Sequence, residues 1–272
     1  MKIGFFDSGI GGMSVLYEAI KVLPYEDYIF YADTLNVPYG EKSKIEVREY
    51  IFNAVEFLAA QNIKALVIAC NTATSIAVED LRRHFDFPII GIEPAVKPAI
   101  KKCAEERKRV LVVATHLTLK EEKFHHLVKE IDHHALVDCL ALPGLVEFAE
   151  NFDFSEDKVI KYLKNELSSF DLKQYGTIVL GCTHFPFFKN SFEKLFGINV
   201  DIISGSVGTA KQLKKILVDR NQLGKGSGSI TFFNSGHKIE DQEIISKYKT
   251  LFKILDGNQG SHVEHGIYGS GY

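Results

Sequence analysis

A chain of 272 residues that is 46% hydrophobic and 11% aromatic holds enough apolar material for one large α/β unit or two modest domains, which excludes a single small module. Its formal charge of −3 supplies no basic field to grip phosphate backbones or an anionic membrane surface, so neither nucleic acid nor membrane is expected as a partner. No stretch approaches the roughly 18 continuous apolar residues of a membrane span, and the N-terminus lacks the apolar core and cleavage site of a signal peptide, so a cytoplasmic location is expected.

In chain order, short apolar runs alternate with amphipathic stretches. Strands are predicted over residues 3–6, 28–31, 65–69, 89–92, 110–114, 177–180 and 200–203, and long helices over 43–61, 119–130 and 155–169. This alternation predicts βα units and parallel sheets, an α/β protein. The segment Gly224-Lys-Gly-Ser-Gly-Ser229 reads as a flexible connection before the apolar Ile230-Thr-Phe-Phe233, and the tail from Gly257 to Tyr272 reads as frayed. Two echoes suggest a duplicated plan. Lys2 to Ser8 resembles Arg109 to Thr115, and Ala65 to Thr72 resembles Thr177 to His184, at the nearly equal offsets of 107 and 112 residues.

Parallel α/β sheets gather ligands beyond the carboxyl ends of their strands. Five predicted strand ends carry small polar or titratable residues: Asp7-Ser8, Asp33-Thr34, Cys70-Asn71-Thr72, Thr115 to Thr118, and Cys182-Thr183-His184. The glycines of Asp7-Ser-Gly-Ile-Gly-Gly12, with Asp33 ending the next strand, invite a dinucleotide reading, but Ser14 stands where the third glycine of that fingerprint belongs. A glycine-rich turn exposing Asp7 and Ser8 to a small ligand is the preferred alternative.

The four cysteines, at 70, 103, 139 and 182, show no metal-ligand spacing and are expected to be free thiols in a reducing compartment. Cys70 and Cys182 each follow a buried strand and are expected to open a helix, where backbone N–H groups favour a thiolate and lower the thiol pKa toward neutrality. Either could instead be a small buried hydrophobe, but their matching settings favour chemistry. Cys103 and Cys139 lack that setting and read as packing. His125, His126, His133 and His134 read as solvated surface, and no metal site is predicted.

Taken together, Asp7-Ser-Gly-Ile-Gly-Gly12, Asp33-Thr34 with Pro38-Tyr-Gly40, Ala69-Cys-Asn-Thr-Ala73, the pair Thr115 and Thr118, and Gly181-Cys-Thr-His-Phe-Pro186 resemble the motif set of the glutamate racemases, in family order over most of the chain. The resemblance implies two similar parallel-sheet α/β domains related by a pseudo-twofold axis, with the active site in the cleft between them. The first would comprise 1–93 plus 208–272, the second 94–207. It further implies Cys70 and Cys182 as the acid/base thiols, Asp7 and His184 as groups that assist them, and Glu147 as an electrostatic residue. Substrate contacts would come from Asp7, Ser8, Tyr39, Gly40, Asn71, Thr72, Thr115, Thr118, Thr183 and His184. Two departures bear on pocket polarity: Phe185 replaces the commoner tyrosine after His184, and His116 lies within the threonine pair. Starting at its first predicted strand, the chain is expected to lack the N-terminal extension through which some members are regulated.

The implied activity is interconversion of L- and D-glutamate without a cofactor, supplying D-glutamate for peptidoglycan. A homodimer is compatible with it. Racemisation removes a proton from one face of the α-carbon and returns one to the other, so it calls for two groups of similar proton affinity on opposite sides. Three competing readings are a racemase of aspartate or another acidic amino acid, a dinucleotide-dependent enzyme, and a non-catalytic protein that binds an acidic ligand.

Overall fold

The first strand, β1 (Lys2–Asp7), is buried along almost its whole length, as expected of a central strand covered on both faces. It pairs in parallel with β2 (Tyr28–Ala32) and β3 (Ile63–Ile68), and β3 pairs in turn with β4 (Ile89–Gly91). A second sheet repeats that order: β5 (Arg109–Ala114) lies between β6 (Val137–Ala141) and β7 (Tyr175–Leu180), and β8 (Asp201–Ser204) completes it beyond β7. The chain then returns to the first sheet with β9 (Ile230–Asn234), parallel to β2, and β10 (His237–Lys238), antiparallel to β9. This computed structural model describes residues 1–257; the remainder of the expected frayed tail, and the end of the first domain's second segment, lie outside the described residues.

The echoes seen in the sequence reach the level of register. In β1 the pairing to β3 shifts between Lys2 and Ile3, and in β5 the pairing to β7 shifts between Arg109 and Val110, at the offsets of the two sequence echoes. The two sheets therefore share a strand order and an irregularity, and both carry a cysteine just beyond the equivalent strand, Cys70 after β3 and Cys182 after β7.

The helices are α1 (Met13–Val22), α2 (Lys44–Ala60), α3 (Asn71–His84), α4 (Val96–Glu106), α5 (His116–Lys120), α6 (Glu122–Ile131), α7 (Pro143–Glu150), α8 (Glu156–Glu166), α9 (Lys189–Phe196), α10 (Ser206–Asp219) and α11 (Gln242–Gly257). Local chemistry sets several boundaries. Ser43 and Glu46 form a reciprocal capping box at the start of α2, and Pro143 stands in the first turn of α7, where its missing N–H has no partner to lose. Alternate residues of β1 and β5 divide the interior. Ile3 and Phe5 share one apolar cluster with Leu111 and Val113 of the second sheet, whereas Phe6 joins a cluster on the outer face of the first sheet and Val110 and Val112 one on the outer face of the second. The two halves are thus joined through a common core. No described helix is long and apolar enough to cross a membrane.

Two predicted segments differ from the structure, and one strand is not predicted. The helix predicted over 119–130 is two helices, α5 and α6, separated at Glu121, whose backbone is extended. β6 is absent from the prediction because Val-Asp-Cys-Leu-Ala is an edge strand with partly exposed residues and no sustained apolar run. The Gly224–Ser229 segment is tied down rather than free: Gly224 N–H donates to Glu26, Gly226 N–H to the Tyr25 carbonyl, and the N–H and hydroxyl groups of Ser227 and Ser229 all converge on Asp27. Beside it the buried Lys64 ammonium donates to Glu26 and to the Gln222 carbonyl, both at 2.6 Å.

Candidate active site

The turn after β1 answers the nucleotide question directly. Asp7 Oδ2 accepts from Gly12 N–H at 2.9 Å and Gly9 N–H at 3.3 Å, and Ile10 N–H donates to Glu150 Oε1 at 2.8 Å. These loop amides are committed to the protein's own carboxylates and form no nest for a pyrophosphate. The glycines serve close approach instead. A Cβ on Gly11 would lie 2.5 Å from Thr183 Oγ1 and 2.6 Å from His184 Nδ1, and one on Gly9 would collide with the Glu150 carboxylate. Asp33, the residue suited to a ribose hydroxyl in the dinucleotide reading, is buried and accepts from Tyr39 Oη at 2.6 Å, Ser235 Oγ at 2.8 Å and the Asn36 amide at 3.0 and 3.1 Å.

Cys70 caps α3, its sulfur accepting from Ala73 N–H at 3.4 Å and lying 3.6 Å from Ser8 Oγ. The lowered thiol pKa expected of a helix start is overturned here. Burial pushes the Cys70 thiol up to about 12, the nearby Asp7 carboxylate adds to the rise, and the Ala73 amide and Ser8 hydroxyl offset only part of it. Burial and the Asp7 carboxylate thus favour the thiol over the thiolate at Cys70 in the free protein.

Cys182 departs from the predicted setting in another way. Strand β7 ends at Leu180, and the chain passes through Gly181 to His184 into a short 3-10 turn, Phe185–Phe188, so Cys182 does not cap an α-helix. Its polar partner is His184, whose Nδ1 lies 3.6 Å from the sulfur while Nε2 lies 2.6 Å from Glu150 Oε1. Burial alone would lower the His184 pKa, but the hydrogen bonds to Cys182 and Glu150 outweigh it and hold the imidazole well above its ordinary value. An imidazolium donates from both nitrogens, which makes His184 a buried counter-charge beside the sulfur.

The carboxylate that reaches His184 is therefore Glu150. Glu147, one turn earlier on α7, is exposed at the cavity wall and is not the residue on the histidine. Three-residue spacing puts both glutamates on neighbouring helix positions, so sequence pattern alone does not separate them. Asp7 lies behind the cavity, fully buried, with Thr183 Oγ1 donating to its oxygens at 3.3 and 3.4 Å. Burial raises its carboxyl to about 6, against the lowering influence of His184 and the Gly12 and Gly9 amides.

That shift has a sign. A carboxyl whose folded pKa exceeds its unfolded value favours folding below the unfolded pKa, and the contribution is lost as pH rises through about 6. Above pH 6 the ionised Asp7 holds stability at most about 3 kcal/mol below that of a neutral group, two pKa units at about 1.4 kcal/mol each. Asp7→Asn is accordingly expected to raise the melting temperature more at pH 8 than at pH 4.5. Thermal unfolding at the two pH values checks it, and an equal or inverted difference would refute the assignment.

One cleft of about 540 Å³, including its open mouth, gathers these groups. Its lining includes Ser8, Tyr39, Gly40, Cys70, Asn71, Thr72, Thr115, Glu147, Cys182, Thr183 and His184. Of the predicted site residues, Asp7 and Thr118 stand just behind that lining. Thr118 belongs to a triangle of hydroxyls with Thr72 and Thr115, at 2.9, 3.0 and 3.1 Å, that bridges the two halves. The Oδ1 of Asn71 is buried without a partner among the described residues, an acceptor suited to a ligand donor such as an ammonium. His116 lines the cleft, whereas Phe185 is fully buried in the shared core and does not touch it. Cys103 is buried against Thr177, Cys139 is exposed on β6, and His125, His126, His133 and His134 are exposed.

A thiol stands just beyond the equivalent strand of each repeated half, and both line one cleft. The chain belongs to the Asp/Glu/hydantoin racemase family, whose model matches residues 22–212. It is 90% identical over 265 residues to glutamate racemase 2 of Bacillus subtilis (strain 168), covering 97% of this chain and 100% of that one. Among solved structures it resembles glutamate racemase isoform RacE1 of Bacillus anthracis, with a TM-score of 0.77 at 30% identity over 94% of each chain. It likewise resembles the glutamate racemase of Francisella tularensis, solved with D-glutamate, with a TM-score of 0.77 at 27% identity over 93% of each chain. The resemblance and the α/β fold class read from the sequence are borne out.

Proposed function

We propose that the chain interconverts L- and D-glutamate by a cofactor-independent, two-thiol proton transfer, supplying D-glutamate for peptidoglycan in the cytoplasm, in a form compatible with a homodimer. The observation that carries the mechanism is the pair of buried thiols on one cleft, each with its own polar support: Ser8 and Asp7 beside Cys70, His184 and Glu150 beside Cys182.

In the L-to-D direction the Cys182 thiolate, opposite the His184 imidazolium, takes the α-proton, and the Cys70 thiol donates its proton to the other face. The α-C–H bond is replaced by an S–H bond at Cys182, and the S–H bond at Cys70 by a new C–H bond, with no net redox change. The D-to-L direction exchanges the roles. Negative charge developing at the α-carbon and its carboxylate requires aimed donors, for which Asn71, Thr72, Thr183 and the amides starting α3 are in reach of the cleft. The Asn71 Oδ1 is the acceptor for the substrate ammonium. Tyr39, Gly40 and Thr115 complete the carboxylate-binding surface, and Thr118 holds the Thr115 hydroxyl from behind.

Incubation with L-glutamate alone, followed by polarimetry, tests this reading: optical rotation should decay to zero, and a stable rotation would refute it. Parallel reactions with L-aspartate separate it from the aspartate alternative. In the same assay Glu150→Gln is expected to slow racemisation about 10- to 100-fold, because a neutral amide no longer holds the imidazolium against Cys182. Glu147→Gln should have the smaller effect; the reverse order would return the electrostatic role to Glu147.

A further inference from the structure

The five residues of α5 are far below the roughly 12–15 at which a helix holds itself in water, so its position is set by what anchors its ends. At the N-terminal end the Thr115 hydroxyl accepts from Thr118 N–H and meets Thr72 of the first half. At the C-terminal end the backbone leaves helical geometry at Glu121, with φ −69° and ψ 134°, and α6 begins one residue later. Nothing local demands that break, for residues 116–126 contain neither glycine nor proline.

The partner of Glu121 is remote in sequence. Its carboxylate, only 8% exposed, accepts from Lys44 Nζ at 2.8 Å, and Lys44, 57% exposed, opens α2 in the first half. A segment that follows β5 of the second sheet is thereby tethered at both ends to the half built on the first. Between the tethers Leu117 packs on the outer apolar cluster of the first sheet, and Gly40, whose Cβ would lie 2.7 Å from that of Thr115, lets the Tyr39 loop come against the same helix.

We propose that the Lys44–Glu121 ion pair is a clasp that positions α5, and through it the Thr115 and Thr118 hydroxyls, for substrate binding. The proposal rests on the glutamate racemase reading. Lys44 and Glu121 are positioning residues: neither lines the cleft, and both act through the two threonines. Without its ammonium the enclosed carboxylate gains by turning toward water, and that movement draws the α5–α6 corner away from Thr72. The thiols stand on other elements, so binding weakens while the proton transfers proceed.

The test compares Lys44→Met, Glu121→Gln and the exchanged pair Lys44→Glu with Glu121→Lys, using glutamate kinetics and amide hydrogen exchange of the full chain without ligand. Each single variant is expected to raise KM about tenfold with kcat within about twofold of wild type. It should also speed exchange at Thr118 and Leu119, whose N–H groups bond to Thr115. The exchanged pair should return both readouts toward wild type. If Glu121→Gln fails to fold, Lys44→Met, at the exposed end of the pair, carries the test. Unchanged KM, faster exchange without a change in KM, loss spread evenly over the chain, or no recovery in the exchanged pair would each overturn the clasp. A wild type that does not racemise glutamate would instead overturn the functional reading, and exchange at residues 116–121 would still decide whether the pair anchors α5.

Discussion

In D₂O, the first D-glutamate formed from L-glutamate is expected to carry solvent deuterium at its α-carbon, while the remaining L-glutamate stays almost wholly protiated. The reason is the separation of the two thiols by role. In the proposed mechanism the proton removed on one face ends on Cys182, and the one delivered to the other comes from Cys70, whose sulfur has exchanged with solvent beforehand. In the reverse direction Cys70 abstracts and Cys182 delivers. Because every crossing uses both sulfurs, Cys70→Ala and Cys182→Ala should each reduce racemisation in both directions by about 10⁴, the upper range for a positioned acid or base. A single base serving both faces would return original protium to the product. Early mass spectra of the separated enantiomers decide between them, and substantial protium in the new enantiomer would defeat the two-thiol mechanism.

Gly11→Ala is expected to lower kcat/KM by at least about 10²-fold, although residue 11 touches no substrate atom in the proposed mechanism. The new methyl would meet Thr183 Oγ1 at 2.5 Å and the His184 ring at 2.6 Å. Neither neighbour has room to yield: Thr183 bonds to Asp7, and the buried His184 is held between Cys182 and Glu150. Displacing the imidazole by about 1 Å moves the counter-charge away from the sulfur, and misplacements of that size typically cost about 10²-fold. Overpacking should also destabilise the fold by about 1–3 kcal/mol, visible as a lower melting temperature. Wild-type kinetics in this variant would show that the glycine turn is not a contact surface for the Cys182 side.

The fold was legible where burial is two-sided. β1, β3, β5 and β7 are continuous apolar runs because both faces are covered, and their repeated spacing exposed the duplication. β6 was not, since an edge strand that mixes Asp138 and the exposed Cys139 with apolar residues lacks a sustained pattern. Composition misled at Gly224–Ser229, because what orders it is Glu26 and Asp27, roughly 200 residues earlier in the chain. Position along the strands identified the thiols, yet depth was invisible: a helix start suggested a lowered pKa for Cys70, and burial reversed the sign. Choosing Glu150 over Glu147 required knowing which one faces His184, a matter of helix rotation and of the turn at Ile10 that also donates to it.

The unequal support of the two thiols has a thermodynamic consequence. Enantiomers have the same free energy in an achiral solvent, so their equilibrium constant is one, and kcat/KM for L-glutamate must equal that for D-glutamate however different the protein groups behind each sulfur. Ser8 and Asp7 on one side, and His184 with Glu150 on the other, therefore act as a lever with a fixed ratio: whatever factor they give one enantiomer in kcat, they must give it in KM as well. The duplicated sheets bring a sulfur from each half to one cleft. The divergence of the residues behind those sulfurs decides which enantiomer is held more tightly and turned over more slowly.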